Sequence, residues 1–250
     1  MLKIEDGIAR FENLFLPHGF STMALGNMAY SWGSEDEVNR NAESFYSRAG
    51  LDRGNRVHML PQHGTKAVIV ANDNAGQMIE CDCLIARSPG LTLSVCPADC
   101  PIIVIKGADE LSPFVALIHA SWKGTRDGIV RETLDQLLFN RFLYSESLDE
   151  SSLYSGFSRE PLMAYISPSI GCCCYKPHLF AKIAGAKTDL ISENVRQLLG
   201  CGIREENITV ADLCTYCSTD ENGNYLFFSH QRSKRTGEKE GRFIATVGIN

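Results

Sequence analysis

The sequence has 250 residues, of which 44% are hydrophobic and 22% are charged, a composition typical of a globular protein that buries a large core. Its formal net charge of -6 argues against broad electrostatic binding to nucleic acid or to an anionic membrane, although a small anionic substrate needs only a few local cations. No apolar run reaches the roughly 18 residues that would span a bilayer, and the acidic N-terminal region lacks the pattern of a signal peptide.

Capping residues and apolar spacing predict four helices. Ser34 begins a capping box, and apolar residues follow at helical spacing, so the first helix is expected over about 35–49, ending before Gly50. The other helices are expected from just after Gly124 to about residue 140, over 189–199 with Gly200 past the end, and around 227–231.

Short apolar runs bounded by Gly, Pro, Asn or Asp predict the strands. Residues 11–31 have the character of strand and turn. The remaining strands are expected near 56–60, 65–71, 83–87, 91–96, 102–105, 113–120, 161–166, 208–211 and 242–249.

Several of these strands are joined by short turns, which favours antiparallel or mixed pairing over repeated βαβ units. We therefore predict an α+β fold of mixed, largely antiparallel sheets flanked by helices. A single domain over residues 1–250 is the simplest organisation at this length. The stretch 144–160 is rich in serine and acidic residues and has little periodicity, so we expect it to be an exposed loop.

Two predicted strands end on side chains that are poor choices for a core. Cys100 follows the strand at 91–96, and His119 closes the strand at 113–120. His63, which precedes another strand-like run, is a third candidate. Two imidazoles and one thiolate are the donors of a catalytic zinc site, whose fourth position is left for water or substrate.

Other interpretations of these three residues remain open. From spacing alone, Cys100 and His119 fit equally well as satisfied core residues at strand ends. Two histidines and one cysteine also describe a blue-copper site. A four-copper oxidase needs several imidazoles for each metal, however, and the chain has six histidines, so a laccase mechanism is not expected and copper is the less favoured metal.

A series of short motifs resembles the YfiH-like family, also called the laccase-domain or polyphenol-oxidase-like family. Each motif is weak alone, but their number and order cover nearly the whole chain. They are His18-Gly19-Phe20-Ser21-Thr22, Asn39-Arg40, Gln62-His63-Gly64, Asp82-Cys83-Leu84, Ala98-Asp99-Cys100, His119-Ala120-Ser121-Trp122-Lys123-Gly124, Ile170-Gly171-Cys172-Cys173-Cys174-Tyr175, Cys214-Thr215, Phe228-Ser229 and Thr236-Gly237.

This resemblance implies a zinc-dependent purine nucleoside enzyme. Members of the family are assigned as purine nucleoside phosphorylases with adenosine deaminase activity, so the implied small-molecule partners are a nucleoside and phosphate. His63, Cys100 and His119 would be both the metal ligands and the catalytic residues. We expect a cytoplasmic monomer or homodimer without nucleic-acid or membrane partners.

Four further residues are candidates for substrate binding. Asp99 could orient a ligating histidine or bind ribose, and it fits a simple turn equally well. Lys123 and Arg40 could hold phosphate or a substrate hydroxyl, although a surface ion pair is the default for Arg40. Arg232 belongs to a cationic segment near the C-terminus, which is usually a solvated surface.

The chain departs from the family pattern at three places. Ser121 and Lys123 replace the usual Gly and Arg of the motif His-Ala-Gly-Trp-Arg-Gly, and Lys lacks the planar fork of Arg that binds phosphate with two bonds. Cys172 stands where the family has Pro, and Ser229-His230-Gln231-Arg232 stands for Ser-Tyr-Arg-Arg. Substrate preference could therefore differ.

The remaining cysteines carry weaker signals. Because the cytoplasm keeps thiols reduced, the ten cysteines are not expected to form disulfides. Cys81-x-Cys83 is expected on one face of a strand, and Cys214-x-x-Cys217 lacks a second pair at zinc-ribbon spacing. The three thiols at 172–174 could lie near the metal, with packing as the alternative for at least two of them.

Two rival functions fit the same residues. One is a metal-free cysteine hydrolase with Cys100 as nucleophile, His119 as base, and Asp99 or another carboxylate as the group that orients the base. The other is a non-enzymatic module in which zinc only stabilises the fold.

Overall fold

The computed structural model describes residues 1–108, 112–144, 161–175 and 189–249, with side chains described up to residue 137 in the second range. Tyr144 is the last residue of a helix, and the rest of the predicted loop at 144–160 lies outside the described residues. None of the helices in the described part combines the length and the apolar character needed to cross a membrane.

Two mixed sheets form the body of the fold. The first has the strand order β1-β2-β3-β13-β8-β4-β6 and the second has the order β12-β11-β9-β10-β7-β5. The strands are β1 Leu2–Glu5, β2 Ile8–Phe11, β3 His18–Ser21, β4 Arg56–Leu60, β5 Ala67–Val70, β6 Met78–Glu80, β7 Cys83–Ala86, β8 Thr92–Val95, β9 Ile102–Ala108, β10 Pro113–His119, β11 Met163–Ile166, β12 Ile208–Val210 and β13 Ala245–Gly248.

Capping residues determine where the first helix begins and ends. Ser34 accepts a hydrogen bond from the backbone N–H of Glu37, and Gly50 ends that helix in the left-handed region at φ 66°. The boundaries predicted for this helix are confirmed. Within the described residues the α-helices are α1 Glu35–Ala49, α2 Trp122–Arg126, α3 Ile129–Tyr144, α4 Leu190–Gly200 and α5 His230–Thr236.

The core is divided into layers. Residues such as Val57, Leu93, Leu84 and Leu117 fill the space between the two sheets. The opposite face of the second sheet packs on α3 and α4, and the outer face of the first sheet packs on α1. The predicted fold class, mixed and largely antiparallel sheets flanked by helices, is confirmed.

The structure corrects three predicted elements. The helix expected around 227–231 begins at His230, because Ser229 caps it and accepts from the N–H of Arg232. The closing strand begins at Ala245, not at residue 242. Cys81 and Cys83 are both buried, but in different core clusters, because β7 begins only at Cys83 and strand alternation does not reach Cys81.

Strand register brings three segments to one edge of the second sheet. His119 pairs with Ile102 and Ile118 pairs with Cys83, so the end of β10 lies beside the starts of β9 and β7. The segment before β5 joins the same edge, since Lys66 O accepts from the N–H of Asp82 at 2.9 Å. Residues just outside these strands therefore meet although they are far apart in sequence.

A close backbone approach joins α2 to the loop that precedes β5. A Cβ atom on Gly124 would lie only 2.6 Å from Gly64 O, a backbone atom that cannot move without its loop. Glycine is therefore required at position 124 because a Cβ atom would not fit there. Its backbone conformation does not by itself require glycine.

We expect Gly124→Ala to lower the free energy of unfolding by about 1–3 kcal/mol, because overpacking must push α2 away from this loop. Gly200→Ala is the matched control, since a Cβ there meets nothing within 4 Å, and it should be neutral or slightly stabilising. Urea denaturation of both variants measures the difference. Equal stability of the two variants would contradict the proposed contact.

Candidate metal centre

Three side chains from different segments converge at the sheet edge. The ligating atoms of His63, Cys100 and His119 all lie within 4.8 Å of one another. The two imidazole rings meet edge to face, with centroids 5.1 Å apart. Donors around a tetrahedral zinc ion lie roughly 3.3–3.8 Å apart, so small movements would allow all three to bind one ion. Nitrogen and thiolate sulfur are donors that suit zinc.

The buried carboxylate of Asp82 holds two of the three segments in place. Its Oδ1 lies 3.0 Å from His119 Nδ1 and accepts from the backbone N–H of His63 at 2.9 Å. Its Oδ2 accepts from the N–H of Gly64 at 2.8 Å. Burial by itself raises the pKa of Asp82, but the hydrogen bonds from His119 and from the two backbone groups lower this pKa below its usual value.

His119 is the buried ligand candidate, and its charge depends on its neighbours. Burial alone would lower the pKa of this imidazole, but the negative charge of Cys100 and the hydrogen bonds to Asp82 and Cys100 raise the pKa to about 9. These neighbours therefore favour the protonated form of His119 in the metal-free protein. The pKa of His63 is lowered, first by burial and then by the charge of His119.

Two residues at this centre have backbone conformations that non-glycine residues rarely adopt. His63 has φ 58° and Asp99 has φ 74°. Asp82 holds His63 through its backbone N–H. Asp99 accepts from Thr215 Oγ1 at 2.8 Å and from the N–H of Gln231 at 2.7 Å. Such strain persists because the surrounding hydrogen bonds determine the conformation.

The three donors lie on the wall of a cavity of about 520 Å³. Cavities of this size hold small organic ligands. The other lining side chains include two aromatic rings, Trp122 and Tyr175, and three basic groups, Lys123, His230 and Arg242.

The structure places two of the four candidates for substrate binding at the cavity and the other two elsewhere. Asp99 and Lys123 line the cavity. Arg40 lies exposed on α1 and is absent from the cavity lining. Arg232 is fully buried, and its guanidinium donates to the carbonyls of Thr215, Tyr216 and Phe227 and to Glu238. Arg232 thus holds the loop behind the cavity together.

Three residues that face this centre are not among the site residues that the sequence predicts. Asp82 orients His119, a role considered only for Asp99 or an unnamed carboxylate. His230 and Arg242 reach the cavity, and both bind Glu240, at 2.5 Å and 3.0 Å. The motif Asp82-Cys83-Leu84 was a signal for the first of these, but an aspartate before a strand is also an ordinary turn residue.

Comparison with known proteins agrees with the motifs. A family model described as multi-copper polyphenol oxidoreductase laccase matches residues 18–250. The chain belongs to this family. The predicted resemblance is thereby confirmed.

Two curated relatives carry the name of an enzyme. The chain is 31% identical, over 68% of its length, to a purine nucleoside phosphorylase of Bacteroides thetaiotaomicron. It is 30% identical, over 71% of its length, to the purine nucleoside phosphorylase YlmD of Geobacillus stearothermophilus. The chain spans 61% and 63% of the length of these two relatives.

Two crystal structures have the same fold. The Bacillus licheniformis hypothetical protein YfiH aligns with a TM-score of 0.76 at 23% identity, over 100% of this chain and 99% of that chain. YlmD of Geobacillus stearothermophilus aligns with a TM-score of 0.75 at 23% identity, over 100% of this chain and 98% of that chain.

Asp82→Asn should weaken zinc binding by about 10–100-fold, because an amide does not fix the His119 ring with a charged hydrogen bond. A competition assay against a chelating dye measures the zinc dissociation constant, and circular dichroism checks folding. The exposed Asp73→Asn is the matched control and should bind zinc like the unchanged protein. Unaltered affinity in a folded Asp82→Asn protein would contradict the orienting role.

Zinc affinity should also depend on pH. Because the pKa of His119 is raised to about 9 in the metal-free protein, zinc must displace a proton at neutral pH. The association constant should therefore rise by about tenfold for each pH unit above pH 7 and level off near pH 9. Calorimetry in buffers of different ionisation enthalpy counts the released protons. Affinity that is constant between pH 7 and 9 would show that His119 is already neutral.

Proposed function

We propose that this chain is a zinc-dependent purine nucleoside phosphorylase in which His63, Cys100 and His119 bind the ion. The observation that carries the proposal is the convergence of the three donors on the wall of a cavity that also holds basic and aromatic side chains. The names of the curated relatives support the same activity. When bound, the ion would supply Lewis acidity to a substrate oxygen or to water.

The basic side chains supply the site for phosphate. Lys123 and Arg242 line the same cavity, in a protein whose formal net charge is -6. Glu240 fixes Arg242 and His230 by hydrogen bonds. Phosphate binding by such groups depends on charge-assisted hydrogen bonds.

The aromatic side chains supply surfaces for the purine. Trp122 and Tyr175 line the cavity, and Arg126 packs over the Trp122 ring at 4.9 Å from its centroid. Flat rings bind a flat base by stacking with little loss of side-chain entropy. Asp99 also lines the cavity and precedes the ligand candidate Cys100 in the sequence, and an additional lone pair of its carboxylate could accept from a ribose hydroxyl.

The proposed reaction replaces one bond to the sugar by another. A phosphate oxygen forms a bond to ribose C1′ while the bond from C1′ to the purine nitrogen breaks. The electron pair of the broken bond leaves with the purine, which takes up a proton from an imidazole or water in the cavity. The products are the free base and ribose 1-phosphate. Lys123 and Arg242 would hold the attacking phosphate in position.

Deamination of adenosine is a second proposed reaction of the same centre. The His63 side chain is exposed whereas His119 is buried, so water can reach the triad from the His63 side. In this reaction water adds to the purine carbon that bears the amino group, and ammonia leaves. The two reactions attack different atoms and require different poses of the nucleoside.

The contacts of His119 also support the alternative function, a metal-free cysteine hydrolase. His119 interacts with Asp82 through one ring nitrogen and with Cys100, which is the order of a Cys-His-Asp triad. In this alternative Cys100 attacks an acyl carbon after His119 takes its proton. Rapid modification of Cys100 in a metal-free, active preparation would favour it.

A multi-copper oxidase has less support from the histidines. Within the described residues, His63, His119 and His230 line the cavity, while His18 contacts Phe11 and His58 contacts Ser94. His178 lies outside the described residues. These donors are fewer than several copper ions at one centre require.

The function is tested with protein of measured zinc content and with adenosine, inosine and methylthioadenosine, each with and without phosphate. Release of the base only when phosphate is present is the expected result, and inosine formed from adenosine would report deamination. Cys100→Ser and His119→Ala should lose both zinc and activity. Base release that needs no phosphate, or full activity without zinc, would overturn the proposal.

Lys123→Gln tests the phosphate site. Loss of a charged contact should raise KM for phosphate by about tenfold or more, with a much smaller effect on nucleoside KM. Lys234→Gln, at an exposed lysine of α5 outside the cavity lining, is the matched control and should leave both constants unchanged.

A further inference from the structure

A second group of sulfur atoms lies outside the centre described above. The Sγ atoms of Cys173, Cys174, Cys214 and Cys217 all lie within 4.8 Å of one another, and none of these cysteines is in a disulfide. The spacing Cys214-x-x-Cys217 is that of two zinc ligands, but the sequence has no second pair of cysteines at zinc-ribbon spacing. The fold supplies that pair from the turn at 171–175.

Two tight turns present these sulfurs to one another. In the first turn the N–H groups of Cys174 and Tyr175 both donate to Gly171 O, at 3.0 Å and 2.9 Å. In the second turn the N–H of Ser218 donates to Cys214 O at 2.9 Å. The two turns are joined where Ser169 forms a bridge with Cys214, so the sulfur atoms meet because the backbone holds both turns together.

The spacing of the sulfurs fits a shared metal ion. Cys173 Sγ and Cys217 Sγ are 3.9 Å apart. Sulfur atoms in a disulfide lie about 2.05 Å apart. Two thiolates on a tetrahedral zinc ion lie roughly 3.8 Å apart. The observed distance therefore matches zinc coordination and is too long for a covalent bond.

Backbone groups around Cys214 add an independent observation. Its sulfur accepts from the N–H of Gly171 at 3.2 Å and also from the backbone N–H groups of Tyr216 and Cys217. Backbone donors aimed at a sulfur favour the thiolate form that binds metal. A Cβ on Gly171 would lie 3.2 Å from Cys173 Sγ and 3.7 Å from Cys214 Sγ, so a glycine allows the two turns to approach.

We propose that Cys173, Cys174, Cys214 and Cys217 bind a second zinc ion with a structural role. Four thiolates fill every tetrahedral position, which distinguishes this site from a three-ligand site that keeps one position open. The ion would join the turn that carries Tyr175, a residue of the cavity wall, to the loop in which Thr215 holds Asp99. The proposal does not depend on the proposed function.

Metal analysis of the purified chain tests this site. The expected content is one zinc equivalent for this site, and two for each chain when the ion proposed at His63, Cys100 and His119 is also bound. Cys214→Ser/Cys217→Ser should lose one equivalent and keep the one that His119→Ala removes. Cys172→Ser is the matched control, since Cys172 lies in the same turn but outside the group, and it should keep two equivalents. A double-serine variant that retains two equivalents would overturn the proposal.

The unchanged protein provides a test that does not rely on a folded variant. Titration with an organomercurial, followed with a zinc indicator, should release two zinc ions. Mass spectrometry of peptides from zinc-loaded, alkylated protein should show the four cysteines protected until zinc is removed. Detection of a Cys173 to Cys217 disulfide in that protein, or of iron with acid-labile sulfide in place of zinc, would overturn the assignment.

Discussion

The centre depends on one buried carboxylate. Asp82 is fully buried, and a charge in such a place is stable only when hydrogen-bond donors surround it. The donors are the His119 ring and the backbone N–H groups of His63 and Gly64, so this single side chain fixes an imidazole and the loop that carries another. Removal of any one donor would leave part of a buried charge unpaired. The local backbone strain at His63 persists for the same reason.

The two packed sheets place the carboxylate of Asp82 at a point where several strands begin or end. Antiparallel pairing of β10 with both β9 and β7 places His119, the last residue of β10, beside the residues just before those two strands, namely Cys100 and Asp82. A shift of register by one residue would turn apolar side chains out of the core, so the packing of Leu84, Val104 and Leu117 also fixes the positions of the reactive groups. Stability and site geometry therefore come from the same contacts.

Much of the fold could be predicted, because its signals are local. The cap at Ser34 and the apolar run at 113–120 depend only on nearby residues, and both elements occur as expected. The first hairpin was missed although its Asp6-Gly7 turn, with φ 51° and 78°, is a recognised hairpin signal. Asp82, Arg242 and the partner pair of Cys214 could not be assigned, because their roles depend on strand register and on loops that meet only in the folded chain.

The unequal burial of the two imidazoles has a kinetic consequence. His119 is 3% exposed and is held between neighbours, whereas His63 is exposed on a loop. An ion bound by both would lose His63 first, because this ring can rotate into solvent without opening the core. Exchange of metal with the surroundings would therefore begin on the His63 side, and rotation of this ring would limit the residence time of the ion.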